Sequence, residues 1–313
     1  MISGQNRGER FNPNKDVPNL SGKIIFITGG TTGLGKESLL ALAKHDPEHL
    51  YFTGRNVKSA NAVVSEIQSI APNVPTTFLK CDLADISSLK SCAQKFLASE
   101  SRLDILMCNA GIMAVPAGTT KDGYEIQFGT NHLGHAALIK LLLPTLLSTA
   151  EQPKSDVRIV ILTSRGYAAH PKDGILFDGL KSSQSDLGTL GNWIRYGQSK
   201  LANILYTMEL ARRYPQITSV SVHPGVVETG LVGNLGLLNK TLVYVTNFGR
   251  LKKPEEGCFN QVWAATTEKG KVESGTYYEP IGVKGKRLGK SENGELAGKL
   301  WDWTEAELRQ FGL

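Results

Sequence analysis

The chain has 313 residues, of which 41% are hydrophobic and 20% charged, and its formal net charge is +6. This length and composition exclude a peptide hormone, a disulfide-rich miniprotein and a disordered chain, and they allow one large α/β domain. The basic residues are scattered, with their densest run at 284–290, which indicates a solvated surface. The net charge alone would also permit an acidic membrane or a phosphorylated small molecule as a partner, and we expect no nucleic-acid partner.

The cysteines and the apolar runs bear on the cellular compartment. The four cysteines show neither a Cys-x-x-Cys metal pattern nor the density of a disulfide framework, which fits a reducing compartment. The first residues contain no apolar core of a signal peptide, and the most apolar stretch, 133–147, is interrupted by a histidine, a lysine and a proline. We expect a cytoplasmic protein without a membrane anchor.

Predicted strands and helices alternate along the chain after a polar N-terminal arm at residues 1–20. Apolar runs predict strands at Lys23–Thr28, His49–Thr53, Thr76–Lys80, Asp104–Cys108, Val157–Thr163 and Ile217–His223. Amphipathic runs predict helices from Gly33 and at Val57–Ile70, Ile86–Ala98, Tyr124–Leu147 and Trp193–Tyr214. This alternation is typical of a parallel sheet. We predict a single α/β domain over residues 21–313, a Rossmann-type doubly wound parallel sheet with helices on both faces.

Two segments lie outside this alternation. Residues 229–254 are rich in glycine and apolar side chains, and we interpret them as a substrate loop that closes over a lipophilic or aromatic substrate. Residues 266–313 form a C-terminal extension. Within it, Thr304 followed by Glu307 predicts a capping box that opens a short helix, which Gly312 can close.

A glycine-rich turn follows the first predicted strand and opens a helix. Its glycines have the spacing Gly-x-x-x-Gly-x-Gly, and the predicted contacts are Gly29, Thr31, Thr32, Gly33, Leu34, Gly35 and Lys36. A helix N-terminus offers free N–H donors and partial positive charge, and glycine lets the backbone approach a pyrophosphate closely. The turn therefore predicts a dinucleotide phosphate site. An ordinary tight turn is the alternative, and Lys36 could equally be a solvated lysine.

The end of the second predicted strand bears on the choice between NAD and NADP. An NAD site places Asp or Glu there, on the ribose 2′-hydroxyl, whereas this chain has Gly54 followed by Arg55. A guanidinium can hold a 2′-phosphate through paired hydrogen bonds. We predict NADP(H) as the cofactor, with Arg55 as an ordinary surface residue the alternative.

Tyr196 and Lys200 are four positions apart on a predicted helix and therefore share a face. An ammonium beside a phenol favours the phenolate, so we expect Lys200 to lower the pKa of Tyr196 towards the working range of an acid–base catalyst. Ser164, at the end of a predicted strand, could hold a carbonyl oxygen beside the tyrosine. Alone, such a pair is usually an ordinary surface pair, so its meaning depends on the other motifs.

Together these motifs resemble the short-chain dehydrogenase/reductase superfamily over roughly residues 22–265. The segments that carry the resemblance are Thr28–Gly35, Cys81–Leu83, Asn109–Gly111, Asn131, Ser164, Tyr196–Lys200 and Pro224–Thr229. The resemblance implies a catalytic tetrad. Asn131 would hold a water of a proton relay, Ser164 would orient the substrate oxygen and Tyr196 would exchange its proton. Lys200 would hold the nicotinamide ribose.

The same resemblance implies further cofactor contacts. Asp82, followed by Leu83, would contact the adenine, and Asn109 would lie along the cofactor. Val227 and Thr229 would meet the nicotinamide amide and the pyrophosphate. The Tyr196 region and the segment Asn-His-Leu-Gly-His resemble the branch that contains retinol dehydrogenases, WW-domain oxidoreductases and protochlorophyllide reductases.

One departure from the compact members of the family concerns the substrate side. Tyr196 follows Ser164 by 32 positions, so residues 165–192 include an insertion that can wall the substrate site. The insertion could also cover the surface through which relatives dimerise, so monomer and homodimer both stay open. His170, within it, is interpreted as a loop residue.

The motifs predict an NADPH-dependent reductase of ketones or aldehydes, or the reverse alcohol dehydrogenase. A reductase of C=C bonds that uses the same tyrosine and lysine is one alternative, and a non-catalytic NADP(H)-binding regulator is another. No catalytic metal is expected, because no histidine pair has ligand spacing with a third ligand in view. His132, His135 and His223 are interpreted as packing residues.

Overall fold

The computed structural model describes residues 10–225, 227 and 253–313. Its strands are β1 (Ile24–Ile27), β2 (His49–Gly54), β3 (Thr76–Lys80), β4 (Ile105–Cys108), β5 (Arg158–Leu162), β6 (Thr218–Val222), β7 (Tyr277–Glu279) and β8 (Val283–Lys284). Within these residues they form one sheet of order β3-β2-β1-β4-β5-β6-β7-β8. Neighbouring strands pair in parallel except β7 and β8, which are antiparallel.

The described helices are α1 (Pro13–Asp16), α2 (Gly33–Ala43), α3 (Val57–Ile70), α4 (Ile86–Ser99), α5 (Ile126–Phe128), α6 (Gly134–Ala150), α7 (Gly191–Arg213), α8 (Pro254–Gly257), α9 (Phe259–Thr266) and α10 (Gly294–Arg309). A π turn at Gly129–Leu133 joins α5 to α6. Short 3₁₀ turns lie at Arg165–Ala169, Phe177–Gly179, Lys269–Lys271 and Gly289–Glu292.

Each face of the sheet carries its own apolar core. Successive side chains of β1 point to opposite faces, as strand geometry requires. Phe26 packs in one core with residues of α4, α6, α7 and α10. Ile25 and Ile27 pack in the other, with residues of α2, α3 and α9. Because both faces are covered, β1 is buried along its whole length, and the predicted doubly wound α/β fold is confirmed.

Residues 10–20 are attached more firmly than the predicted N-terminal arm. Val17 and Leu20 are buried in the core on one face of the sheet. The backbone N–H of Leu20 donates to the carbonyl of His45 at 2.7 Å. The ring of Phe11 packs edge-on against Phe259. Apolar anchors spaced through a polar segment thus hold this part of the arm to the domain.

The predicted capping box at Thr304 is wrong. The helix is α10, which begins ten positions earlier at Gly294, and the side chain of Asn293 caps it by accepting from the N–H of Leu296 at 2.9 Å. Thr304 is fully buried inside the helix, with its Oγ1 3.0 Å from Nε2 of His132. Packing on the α6–α7 side of the sheet outweighs the local capping signal. The extension also supplies β7 and β8 to the sheet.

One helical stretch among the described residues, Ile126–Ala150, is long and apolar enough to cross a membrane, with a mean hydropathy of 1.4. Within this fold, 61% of its most apolar window is buried. A core helix has the same length and composition, so this stretch does not by itself indicate a membrane span.

Candidate active site

A cleft of about 1300 Å³ lies at the carboxyl ends of β1 to β5. This is the edge where open α/β sheets bind ligands, next to the point between β1 and β4 where the strand order reverses. Gly29 lines it after β1, Gly54 at the end of β2, Asp82 after β3 and Asn109 after β4. Tyr196 and Lys200 of α7 also line it, so the fold brings the two groups of sequence-predicted residues to one cleft.

The glycine-rich turn lies against the N-terminus of α2 in a conformation that needs glycine. Gly29 and Gly33 have φ of 69° and 57°, in the left-handed region. A Cβ at Gly35 would lie 2.2 Å from the carbonyl oxygen of Gly29, so this position has no room for a side chain. The other predicted residues of the turn that line the cleft are Thr31, Thr32 and Leu34. The turn therefore leaves its backbone open to a phosphate group.

The side chain of Thr31 fills the space beside Gly54. A Cβ at Gly54 would lie 2.4 Å from Cγ2 of Thr31, so an acidic side chain at this position would displace the threonine. Arg55 follows, is exposed and lines the cleft. Lys36 is not among the cleft residues, because its Nζ pairs with Glu66 Oε2 at 2.7 Å on α3. The structure thus brings Arg55, and not Lys36, to the cofactor end of the cleft.

Asn109 ties the end of β4 to the glycine-rich turn. Its Nδ2 donates to the carbonyl oxygens of Thr28 at 2.9 Å and Gly29 at 3.3 Å. Its Oδ1 accepts from Nε2 of Gln261 at 3.1 Å. Asp82, which follows β3, lines the same cleft. Asn109 therefore holds the turn in place, and its contact with a cofactor stays a prediction.

The remaining predicted cofactor contacts are Leu83, Val227 and Thr229. Leu83 lines the cleft beside Asp82. Val227 is buried, and its methyl groups lie 2.6 Å from where a Cβ at Gly257 would stand. Thr229 and nearly all of the predicted substrate loop, residues 229–252, lie outside the described residues.

Tyr196 and Lys200 are both buried on the cleft side of α7. Lys200 Nζ donates to the carbonyl oxygen of Leu162 at 3.0 Å and lies 5.9 Å from the centre of the Tyr196 ring. Thr163 Oγ1 donates to the backbone carbonyl of Lys200 at 2.8 Å. The end of β5 therefore fixes both the backbone and the ammonium of this lysine.

Asn131 lies in the π turn, fully buried, with its amide held by two segments. Its Nδ2 donates to the carbonyl of Ile112 and to Oγ of Ser199, both at 2.9 Å, and its Oδ1 accepts from the N–H of Ile112 at 2.8 Å. A Cβ at Gly111 would lie 3.0 Å from Oδ1 of Asn131 and 3.4 Å from Nζ of Lys200. Asn131 and Lys200 thus flank Gly111, and the role of Asn131 in a water relay stays a prediction.

Known proteins match both the sequence and this architecture. Residues 23–170 match a family model described as short chain dehydrogenase. The short-chain dehydrogenase/reductase drtF of Aspergillus calidoustus is 36% identical over 308 residues, covering 94% of this chain and 96% of that protein. Human retinol dehydrogenase 11 is 35% identical over 285 residues, covering 90% and 85%. This chain belongs to the short-chain dehydrogenase/reductase superfamily.

Its similarity to retinol dehydrogenases confirms the predicted branch of the superfamily. Among solved structures, an uncharacterised protein from Mycobacterium paratuberculosis is 27% identical with a TM-score of 0.71, covering 94% of this chain and 96% of that one. A protein from Beutenbergia cavernae, described as an NAD(P)-dependent gluconate 5-dehydrogenase and solved with bound NADP, is 22% identical with a TM-score of 0.65, covering 87% and 98%. The second likeness concerns the fold alone.

In this short-chain dehydrogenase/reductase the prediction that Lys200 lowers the pKa of Tyr196 is wrong. Burial raises the pKa of Tyr196 to about 12, and a hydrogen bond with Ser164 offsets only part of that rise. Burial also lowers the pKa of Lys200 to about 8. The ammonium donates to the carbonyl oxygen of Leu162 and lies 5.9 Å from the centre of the tyrosine ring, and desolvation outweighs its influence on the phenol. At neutral pH the phenol keeps its proton.

Ser164 lies between β5 and the insertion of this dehydrogenase, where it caps the 3₁₀ turn at Arg165–Ala169. Its Oγ accepts from the N–H of Gly166 at 3.1 Å and also bonds with Tyr196. A Cβ at Gly166 would lie 2.9 Å from Cε1 of Tyr196, so the insertion lies directly against the tyrosine ring. Further along, Nδ1 of His170 lies 2.6 Å from the carbonyl oxygen of Pro171, within the loop itself.

The substrate end of the cleft contains residues that the sequence did not single out. Its walls are the segment after β4 and the insertion, through Met113, Ala114, Val115, Pro116, Ala117, Gly118, Ser185, Gly188, Thr189 and Asn192. The insertion therefore contributes a wall, as predicted.

Arg195 joins these two walls. It donates from Nη1 to the carbonyl of Gln184 at 2.9 Å and from Nη2 to that of Val115 at 3.4 Å. Its Nε lies 3.5 Å from Oε1 of Glu125, a buried carboxyl whose pKa burial raises. Its position directly before Tyr196 is the one sequence signal that could have pointed to it.

Proposed function

We propose that this dehydrogenase uses NADPH to reduce the carbonyl group of a ketone or aldehyde, or runs the reverse oxidation of the alcohol. One observation carries the proposal: a buried, protonated Tyr196 stands with Lys200, Asn131 and Ser164 at one end of a cleft whose other end is a glycine-rich turn. NADPH, when bound, supplies the hydride. The chain has to supply the proton, the orientation of the carbonyl and the shielding from water.

Tyr196 donates the proton to the substrate oxygen. A phenol whose pKa is raised to about 12 is fully protonated at neutral pH, and it is still a stronger acid than the alcohol product, so it can give its proton to the alkoxide that hydride transfer forms. The hydroxyl of Ser164, already bonded to Tyr196, is suited to hold the same substrate oxygen. Lys200, whose pKa lies near 8, is a reservoir from which the tyrosine can be reprotonated. This arrangement favours the reductive direction.

The preference for NADPH over NADH rests on Gly54 and Arg55. Thr31 occupies the space beside Gly54, so an acidic side chain at position 54, the usual partner of an NAD ribose, would have to displace it. Arg55 is exposed at the same edge of the cleft and can pair with a 2′-phosphate. Gly29, Gly33 and the N-terminus of α2 are suited to the pyrophosphate.

The substrate proposed is lipophilic or aromatic. Apolar side chains from the segment after β4 and from α5 line the substrate end, notably Met113, Val115, Pro116 and Ile126, and the polar side chains there come mainly from the insertion and the start of α7. The similarity to retinol dehydrogenases is in keeping with a lipophilic alcohol or aldehyde. We also propose a cytoplasmic location, in keeping with four cysteines that are all unpaired.

The test is purified protein with NADPH carrying deuterium at the transferable position, offered a panel of ketones, aldehydes and conjugated enones. We expect deuterium at the former carbonyl carbon and loss of turnover in Tyr196→Phe. Deuterium at an alkene carbon would assign the enzyme to C=C reduction. Tight NADPH binding without transfer to any compound would favour a regulator, and native-like activity in Tyr196→Phe would refute the proposed chemistry.

A further inference from the structure

His135, on α6, bonds to two segments that border the active site. Its Nε2 lies 2.9 Å from Oγ1 of Thr28, the residue between β1 and the glycine-rich turn. Its Nδ1 lies 3.0 Å from the backbone carbonyl oxygen of Asn131 in the π turn. The side chains of His135, Thr28 and Asn131 are all buried. The buried histidine therefore contacts both the segment that precedes the glycine-rich turn and the segment that holds Asn131.

The chemistry of the partners fixes the proton on this imidazole. A carbonyl oxygen can only accept, so Nδ1 of His135 carries the hydrogen and donates it to Asn131. Nε2 is then an acceptor and receives the hydroxyl proton of Thr28. The hydroxyl oxygen of Thr28 in turn accepts from the N–H of Ala110 at 3.0 Å. Every donor in this series of hydrogen bonds therefore faces an acceptor, and the series stabilises the Nδ1–H tautomer of His135.

Burial and one nearby charge favour the neutral form of His135. The imidazole of His132 faces it from the π turn and the ammonium of Lys200 from α7. Burial, and to a smaller extent the ammonium of Lys200, lower the pKa of His135 to about 4, and the hydrogen bond to the carbonyl of Asn131 offsets only part of that fall. The ring is therefore neutral throughout the range in which the enzyme works, and it keeps one donor and one acceptor.

We infer that His135 is a positioning residue that couples the glycine-rich turn to Asn131, with one ring nitrogen serving each end of the cleft. Through Nδ1 it fixes the backbone of Asn131, whose side chain flanks Lys200 across Gly111. Through Nε2 it fixes Thr28, whose carbonyl accepts from Asn109. The inference deepens the proposed function, because its kinetic consequence requires the hydride transfer proposed above.

Two substitutions separate the nitrogens. His135→Asn places an amide N–H where Nδ1 stands and keeps the bond to Asn131, but it cannot reach Thr28. His135→Gln places an amide oxygen where Nε2 stands and keeps the bond to Thr28, but it loses the bond to Asn131. We expect His135→Gln to lower kcat about tenfold or more with little change in the Kd for NADPH. We expect His135→Asn to raise that Kd about three- to tenfold with little change in kcat.

His132→Asn is the matched control, because it removes a buried neighbouring histidine whose Nε2 bonds to Thr304 of α10. We expect it to lower the melting temperature and to leave kcat and the Kd unchanged. The inference is overturned if the two His135 variants lose the same parameter, or if both only lower the melting temperature as the control does.

A measurement that needs no turnover separates this inference from the proposed function. The ¹⁵N spectrum of the native protein reports which nitrogen of His135 carries the proton, with His135→Asn identifying the signal. We expect the Nδ1–H tautomer at pH 7, and the Nε2–H tautomer would overturn the inference. If the native protein reduced no substrate, the proposed function would fail, yet this tautomer and the Kd difference between the variants would still decide the role of His135.

Discussion

The two ends of the cleft reach a ligand by different means. At the cofactor end the backbone itself lines the cleft. Gly29 and Gly33 have left-handed conformations there, and Gly35 has no room for a side chain. At the substrate end, side chains hold other side chains and loops, and Arg195 joins the segment after β4 to the insertion. Binding through the backbone suits a ligand that all members of a family share, because it does not depend on which side chains are present. A site built from side chains and loops can differ from one relative to the next, along with the substrate.

The largest effect is expected at Lys200, where the two ends meet. Burial lowers its pKa to about 8 from the usual 10.5, so its charge is lost as the pH rises through about 8. We expect kcat for carbonyl reduction to fall above that pH, because the tyrosine is no longer reprotonated. Lys200→Met should be about 100- to 10,000-fold slower and lack this fall. A pH profile of kcat from 6 to 10 measures both.

A stability measurement is the control for Lys200→Met. The folded pKa lies below the unfolded one, so the charged lysine destabilises the native state at pH 7, and its contribution to the free energy of unfolding rises between about pH 8 and 10.5. The variant should therefore melt at no lower temperature than the native protein at pH 7. Slow turnover in a protein that melts earlier would indicate misfolding in place of lost chemistry.

At the cofactor end, Arg55→Ala is expected to weaken NADPH binding about 10- to 100-fold, the usual cost of losing hydrogen bonds to a charged group. NADH has no 2′-phosphate, so its affinity should change little. Fluorescence titration with both nucleotides measures the ratio. An equal loss of affinity for NADPH and for NADH would mean that Arg55 does not bind the 2′-phosphate.

At the substrate end, Arg195→Lys keeps the charge but loses the fork that reaches Gln184 and Val115 together. We expect KM for the carbonyl substrate to rise about three- to tenfold, the value of one or two hydrogen bonds, with the Kd for NADPH unchanged. Arg212→Lys, an exposed partner of Glu209 on the same helix, is the matched control. A rise in the Kd with no change in KM would contradict the division between the two ends.

The smallest effect is expected at Lys36. Its ammonium is already paired with Glu66 on α3, so Lys36→Met should change the Kd for NADPH less than about twofold, as for an exposed ion pair. The same titration, run beside Arg55→Ala, measures it. A loss as large as that of Arg55→Ala would restore Lys36 as a cofactor contact.

The contrast between the ends also explains what the sequence could predict. The βαβ alternation, the glycine-rich turn and the Tyr196–Lys200 pair are local patterns, and the structure brings them together in the cleft. Arg195 and His135 act through partners that are distant in sequence or offer only a backbone carbonyl, so no local pattern marks them. At Thr304 a local pattern was present but tertiary packing outweighed it.

The pKa of Tyr196 shows the same limit. Spacing on a helix predicts proximity to Lys200, but the direction of the shift depends on burial and on where the ammonium points, and both are properties of the folded chain. In the folded chain, desolvation raises the pKa of this phenol where the helix spacing predicts a lower one.

The most direct measurement of the central claim is the transfer of deuterium from labelled NADPH to a lipophilic ketone or aldehyde by the native protein and by Tyr196→Phe, with NADPH affinity measured on both. The account predicts label at the carbonyl carbon with the native protein, loss of transfer in the variant and equal affinities. Undiminished transfer by Tyr196→Phe would contradict it.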